Sequence, residues 1–187
     1  AVCTSIFFKL EGIIKFGKCL LSSNAMKTGR YIFLSLIFLI SCEEEIALPT
    51  LSLTPESLSI DIGSVGELTL QIDDLEDAIF GISLRIAYDS TGVSFAGSTE
   101  FGEGYFSSSE IVTFLKDTSS AIHIATTLTS GEGVSGSGIL YTLEFEGKSQ
   151  GSHLVEILPN FLFFYDSSGS KITIPNLIIS SATINVE

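Results

Sequence analysis

Chemistry in this chain would have to come from two histidines, three cysteines and 22 carboxylates. Imidazole and thiolate are the usual ligands of zinc and copper. Cys3, Cys19 and Cys42 all lie at or before position 42, so the rest of the chain offers only His123 and His153 and has no internal disulfide. His123 falls on the polar side of an alternating strand, which suits a surface histidine. Calcium prefers oxygen ligands, and two acidic stretches supply them: Asp73, Asp74, Glu76 and Asp77, then Asp166-Ser167-Ser168-Gly169. Neither has the ligand spacing of a known calcium loop, and both read as solvated turns, so they stand as weak candidates only. Gly131-Glu132-Gly133-Val134-Ser135-Gly136 fits G-x-G-x-x-G by letter. It leads into a strand rather than a helix, however, and Glu132 would repel a phosphate. No G-x-S-x-G elbow is present. Two carboxylates can run a glycosidase, but nothing in the sequence pairs any two across a cleft. The expectation is a non-enzyme with no cofactor, no catalytic residue and no metal site.

Charge divides the chain sharply. Residues 1–41 hold five basic residues against the single acid Glu11. From Cys42 onward Arg85, Lys116, Lys148 and Lys171 stand against 21 acids, a net of −17. Such an excess repels nucleic acid and anionic headgroups, so DNA and RNA are excluded as partners. It suits an exported surface.

Met26-Lys27-Thr28-Gly29-Arg30 is a short basic region, and the ten residues Tyr31–Ile40 after it are mostly apolar. A spanning helix needs roughly 20 such residues; ten match the hydrophobic region of a signal peptide. Leu39-Ile40-Ser41-Cys42 resembles the bacterial lipobox. The resemblance implies cleavage before Cys42, lipid on its sulfur and acylation of the new amino terminus. Residues 26–41 are therefore expected to be a signal peptide, with residues 1–25 an upstream extension without structural role. Residues 42–50 are expected to form an acidic linker. Glu43-Glu44-Glu45 looks like the acidic run of some surface-exported lipoproteins and equally like a solvated linker; position 43 is not Asp, so the familiar inner-membrane retention signal is absent. The expected location is the bacterial cell envelope, lipid-anchored at the outer membrane or cell surface.

What must position any site is a set of strands. In Gly136–Gly147, Ile139, Tyr141, Leu143 and Phe145 alternate with Thr142, Glu144 and Glu146. Upstream, Phe80, Ile82, Leu84, Ile86 and Tyr88 alternate with Gly81, Ser83, Arg85, Ala87 and Asp89. That period of two marks strands with one buried face. Shorter strands are expected over 58–62, 68–72, 93–95, 111–116, 121–128, 154–158, 161–165, 172–174 and 177–186, with Asp73–Ala78 as an acidic crossing. Many short strands, Gly/Ser/Asp turns and no credible helix predict an all-β sandwich or jelly roll.

The order of these pieces over residues 51–187 resembles the cohesin domain. The marks are the opening strands around Gly63 and Gly66, the strand Phe80 to Tyr88-Asp89, and Gly136-Ser137-Gly138 leading into Leu143-Glu144-Phe145. Gly151 opening the next strand and the closing strand Ile178–Val186 complete them. The resemblance implies a nine-stranded jelly roll and a non-catalytic receptor for dockerin-type modules in polysaccharide breakdown. It also implies that docking uses a flat sheet face, placed here on 80–89, 111–116, 121–128 and 138–146. Alternation then selects the outward residues Ser83, Arg85, Ala87, His123, Ala125, Thr127, Leu140, Thr142 and Glu144, with Leu140 an exposed apolar member of a polar set.

The same fold serves carbohydrate-binding modules, so a polysaccharide is the alternative partner. Sugar rings would stack on Tyr105, Phe106 or Tyr165, although Trp is absent. A structural envelope spacer is the third possibility. The membrane is reached through the lipid alone, and several acyl chains hold far more firmly than one. Replacement Cys42→Ala should therefore leave the protein unprocessed or released, which membrane fractionation would read directly.

Overall fold

Alternating apolar and polar residues punctuated by Gly, Ser and Asp leave the chain little to build except paired strands. A computed structural model describes residues 47–100, 105–106 and 110–187; the signal segment, Cys42 and the acidic run after it lie outside the described residues. The strands in chain order are β1 (Thr50–Thr54), β2 (Ser57–Ile60), β3 (Val65–Ile79), β4 (Gly81–Tyr88), β5 (Val93–Glu100), β6 (Ile111–Asp117) and β7 (Ala121–Leu128). They continue with β8 (Val134–Gly147), β9 (Gly151–Ile157), β10 (Phe163–Tyr165), β11 (Lys171–Ile172), β12 (Ile178–Ser180) and β13 (Ala182–Val186). Between β9 and β10 lies a single 3-10 turn, Pro159–Phe161.

The strands form two sheets packed as a sandwich. One runs β12-β1-β3-β8-β5. The other runs β6-β7-β4-β9-β13-β2, with β10 pairing the first half of β4 and β9 its second half along the same edge. Proline has no N–H for a ladder, and Pro159 separates β9 from β10. The resemblance implied nine strands, and thirteen segments are found among the described residues. Cuts near Pro55, at Pro159 and at Ser181 separate β1 from β2, β9 from β10 and β12 from β13. At the first and last cuts the chain changes sheet, so that β1 pairs β12 in one layer and β2 pairs β13 in the other, both in parallel.

Core residues come from the inward phase of each strand. Leu68, Leu70 and Ile72 of β3 and Leu143 and Phe145 of β8 meet Ile82, Leu84 and Ile86 of β4 and Ile122 and Ile124 of β7. Phe145 is fully buried and takes the edges of Tyr88 and Phe95, with ring centres 5.6 and 6.0 Å away. Offset and edge-on contacts of this kind suit the ring quadrupoles. Tyr141 reaches across the layers, where its hydroxyl meets Thr126 of β7 and lies 3.1 Å from Thr113 of β6. A buried hydroxyl without such partners would be costly, so this contact also fixes the layers relative to one another.

Two expectations change here. The acidic stretch after Ile72 is no crossing: β3 continues to Ile79 through register shifts, burying Leu75 and Ile79 while Asp74, Glu76 and Asp77 face solvent. A bulge also interrupts the β3–β8 ladder, where Leu70 pairs with Tyr141 and Gln71 with Ile139. Leu140 is the extra residue and is buried at 6% exposure. Counting by twos fails across a bulge, so Leu140 is not the exposed apolar residue its parity suggested.

A polar latch joins two turns at one end. His153 Nδ1 lies 3.0 Å from Asp89 Oδ2, and its Nε2 lies 2.9 Å from the Ser149 carbonyl oxygen. Thr91 donates to Asp89 Oδ1 from both its N–H and its hydroxyl. Gly92 makes room for the ring, since a Cβ there would stand 1.8 Å from His153 Cε1. The Thr91 hydroxyl first, then His153, hold the Asp89 carboxyl down at about 2 against the ordinary 3.8. A carboxyl depressed by folding stabilises the native state above its unfolded value and loses that contribution as it protonates. Stability should therefore fall as pH drops from about 4 towards 2, and the Asp89→Asn variant should show a shallower fall in urea melts over that window. In the core, Leu84→Ala and Leu143→Ala should each cost about 2–5 kcal/mol, measured by the same melts at neutral pH.

Candidate functional site

The outer face of the second sheet is set by three ladders in register. Gly81 pairs Thr127, Ser83 pairs Ala125, Arg85 pairs His123 and Ala87 pairs Ala121 between β4 and β7. On β6, Val112 pairs Thr127, Phe114 pairs Ala125 and Lys116 pairs His123. On the other edge Phe163 pairs Ser83 and Tyr165 pairs Gly81, while Glu156 of β9 faces Ala87. Side chains opposite one another share a face. Rows therefore run across the sheet: Val112–Thr127–Gly81–Tyr165, then Phe114–Ala125–Ser83–Phe163, then Lys116–His123–Arg85.

Small residues make the floor and large ones the walls. A trough of about 590 Å³ lies over Gly81, Ser83, Ala125 and Thr127, between Val112 and Phe114 on one side and Tyr165 on the other. A second depression of about 230 Å³ continues it past Phe163 to Arg85, His123 and Phe161. Phe114 is 58% exposed, Val112 57% and Phe161 42%. Apolar side chains gathered on a sheet face in this way mark contact surfaces, where scattered ones would not. At the sheet break Leu158 N–H donates to the Arg85 carbonyl at 2.9 Å, which positions Phe161 beside the Arg85 side chain.

Arg85 is held on two sides. Its Nε donates to His123 Nδ1 at 3.2 Å, and its guanidinium carbon stands 3.9 Å from the centre of the Phe161 ring. Partial burial first, then the charges of Arg85 and Lys116, hold His123 below its ordinary 6.5. A neutral ring is what the Arg85 contact requires, because Nδ1 must accept there. On the far wall, Lys171 Nζ sits 3.5 Å from the centre of the Phe163 ring.

The sequence-derived face divides in two. Ser83, Arg85, Ala87, His123, Ala125 and Thr127 do share one outer surface. Leu140, Thr142 and Glu144 do not join them, because β8 belongs to the opposite sheet, between β3 and β5. Thr142 is buried at 5% exposure. The expectation placed 138–146 on the same sheet face as 80–89, whereas the strands beside β4 are β7 on one edge and β9 and β10 on the other. Of the proposed sugar-stacking residues, Tyr165 lines the trough, but Tyr105 and Phe106 are buried at 7% and 5%. Their rings pack edge to face at 5.1 Å, and the Tyr105 hydroxyl donates to the Val134 carbonyl at 2.8 Å. Burial pushes the Tyr105 phenol up. The sequence offered them as sugar contacts only against the reading of core or loop packing, and it is packing that they show, as covering residues for β8.

The acidic candidates do not converge. Among the described residues no three His, Cys, Asp or Glu side chains are grouped so as to hold a metal ion. Asp73 takes a 2.7 Å hydrogen bond from Gln71, and Asp166 accepts from the Ser168 N–H and hydroxyl and from the Ser170 N–H within its own turn. Ser149 approaches His153 through its carbonyl and donates its hydroxyl to the Thr91 carbonyl, so these groups do not form a nucleophile–base pair. Val112, Phe114, Lys116, Phe161 and Phe163 went unassigned in the sequence. The available signal was an apolar residue at alternate positions on the outward phase of β6.

No protein-family model matches the chain, and no curated protein matches it. Solved structures do. The cohesin CaCohA2 of Clostridium acetobutylicum superposes with a TM-score of 0.60 at 18% identity, covering 74% of this chain and 90% of that one. The third cohesin of ScaC from Acetivibrio cellulolyticus, solved in complex with the ScaB dockerin, gives 0.59 at 16%, covering 74% and 99%. The fold is that of cohesins. A non-cellulosomal cohesin from the archaeon Archaeoglobus fulgidus, with a TM-score of 0.57 at 17% identity and coverage of 75% and 92%, extends this likeness beyond bacteria. The cohesin-fold sandwich here thus carries its aromatic-walled trough on the sheet β6-β7-β4-β10.

Proposed function

We propose that this trough is the docking face of a non-catalytic receptor, which binds a dockerin-like protein module. The observation that carries the reading is a sheet face with small residues at its centre and exposed Val112, Phe114 and Phe161 around it. A helix or loop can lie on such a floor, and its apolar side chains can enter between the walls. Support also comes from the fold, since several cohesins of this shape were solved in complex with dockerins. Together with the lipobox ending at Cys42, the reading is of a receptor held at the bacterial envelope by its lipid, serving polysaccharide breakdown.

A panel of calcium-loaded dockerin modules titrated against the full chain tests the docking reading. At least one should bind, and Phe114→Asp should weaken it by roughly 30-fold or more, the effect of losing a central hot-spot residue. Ser83→Arg should do the same by filling the floor. Both sites lie on the outer face, so thermal melts should be unchanged. Binding by a glycan array, with loss on Tyr165→Ala, would transfer the face to a carbohydrate ligand instead. Silence in both assays would leave the spacer.

A further inference from the structure

The chain from Cys42 onward has four cationic side chains, and three of them border the trough. Lys116 and Arg85 flank His123 in one row across β6, β7 and β4. Lys171 stands on the Phe163 wall. In a chain segment with a net charge of −17, most cations should find a carboxylate. These do not. Among the described residues the one contact within 4.0 Å between a basic and an acidic side chain is His153–Asp89, in the latch, so no carboxylate lies that close to Arg85, Lys116 or Lys171, nor to Lys148 away from the trough. Glu156 shares this side of the sheet opposite Ala87 without reaching Arg85, and Asp166 at the other end is engaged by its own turn.

Arg85 is the most constrained of the three. It is half-buried, donates from Nε to His123 and stacks on Phe161. A guanidinium already ordered and partly dehydrated gives up less on meeting a partner than a free one does. Cations bordering an apolar trough on an otherwise acidic protein also favour the opposite charge on a partner, although Asp166 lines the far end of the trough.

The geometry points to a partner whose contact segment carries a carboxylate beside an apolar anchor, with the anchor between Phe114 and Phe163 and the carboxylate on Arg85 and Lys116. This rests on the docking reading and sets the polarity of that interface: cations on this chain, acid on the partner. It commits the occupant to an acidic protein segment.

The test is a displayed library of two-helix scaffolds with a fixed central leucine and randomised rim positions, selected against the full chain. Selected binders should be enriched in Asp and Glu at the rim and should weaken as salt rises. Arg85→Ala should reduce their affinity about 10- to 100-fold, the range for a hydrogen bond to a charged group. Arg85→Glu paired with Glu→Arg in the binder should restore it. Binders enriched in Lys and Arg, or indifferent to both Arg85→Ala and Lys116→Ala yet abolished by Phe114→Asp, would overturn the charge assignment and leave the docking face standing. Binders indifferent to Phe114→Asp as well would remove the docking face itself. A dimer of the chain in sedimentation that Phe114→Asp dissolves would overturn the inference in favour of a second copy.

Discussion

The register between β4 and β7 is the constraint on which the rest of the molecule depends. Seven consecutive pairs, from Gly81–Thr127 to Ala87–Ala121, commit every second residue of both strands to the core. A slip of one residue would send Ser83, Arg85 and Ala87 inward and leave Ile82, Leu84 and Ile86 in water. Burial of those three apolar chains against β8 and β3 therefore holds the outer surface in place at no separate cost. The trough is the far side of the core.

The second layer enforces that register. Tyr141 projects from β8 through the interior to Thr126 and Thr113, one on each of the strands that form one wall and the floor. Because a stranded hydroxyl would be costly there, β6 and β7 are located relative to β8 as well as to β4. The opposite wall has another origin. Pro159 ends the run of β9, and the 3-10 turn it opens places Phe161 against Arg85 before Phe163 and Tyr165 rejoin the ladder on β4. A break that lowers the regularity of the sheet thus supplies its most specific surface feature.

The surface so formed is unlike the rest of the protein. Carboxylates dominate the chain after Cys42, yet the trough gathers aromatic rings and cations. Arginine and aromatic residues are the groups enriched at interface centres, and lysine and acids are usually depleted there. Arg85 over Phe161 and Lys171 over Phe163 combine both kinds of contact, so each cation is oriented by a ring rather than neutralised by a carboxylate. The fold alone would serve many ligands. It is this local composition that distinguishes the face.

Local alternation was enough to determine the all-β class, the boundaries of β4 and β7 to within a residue, and the outward set Ser83, Arg85, Ala87, His123, Ala125 and Thr127. Period two is a property of each strand by itself and needs no partner to be read. Three features could not be read that way. Which strand lies beside β4 is a matter of long-range pairing, and β8 and β9 are both plausible neighbours until the layers are assembled. The side to which Leu140 turns depends on a bulge whose position is set by the partner strand, β3. The burial of Tyr105 and Phe106, and the exposure of Phe114 and Phe161, depend on what covers each ring, and no single strand contains that information. The sequence by itself determined the faces of its strands; only the tertiary structure decided which faces meet, because pairing and coverage are made by residues far apart in the chain.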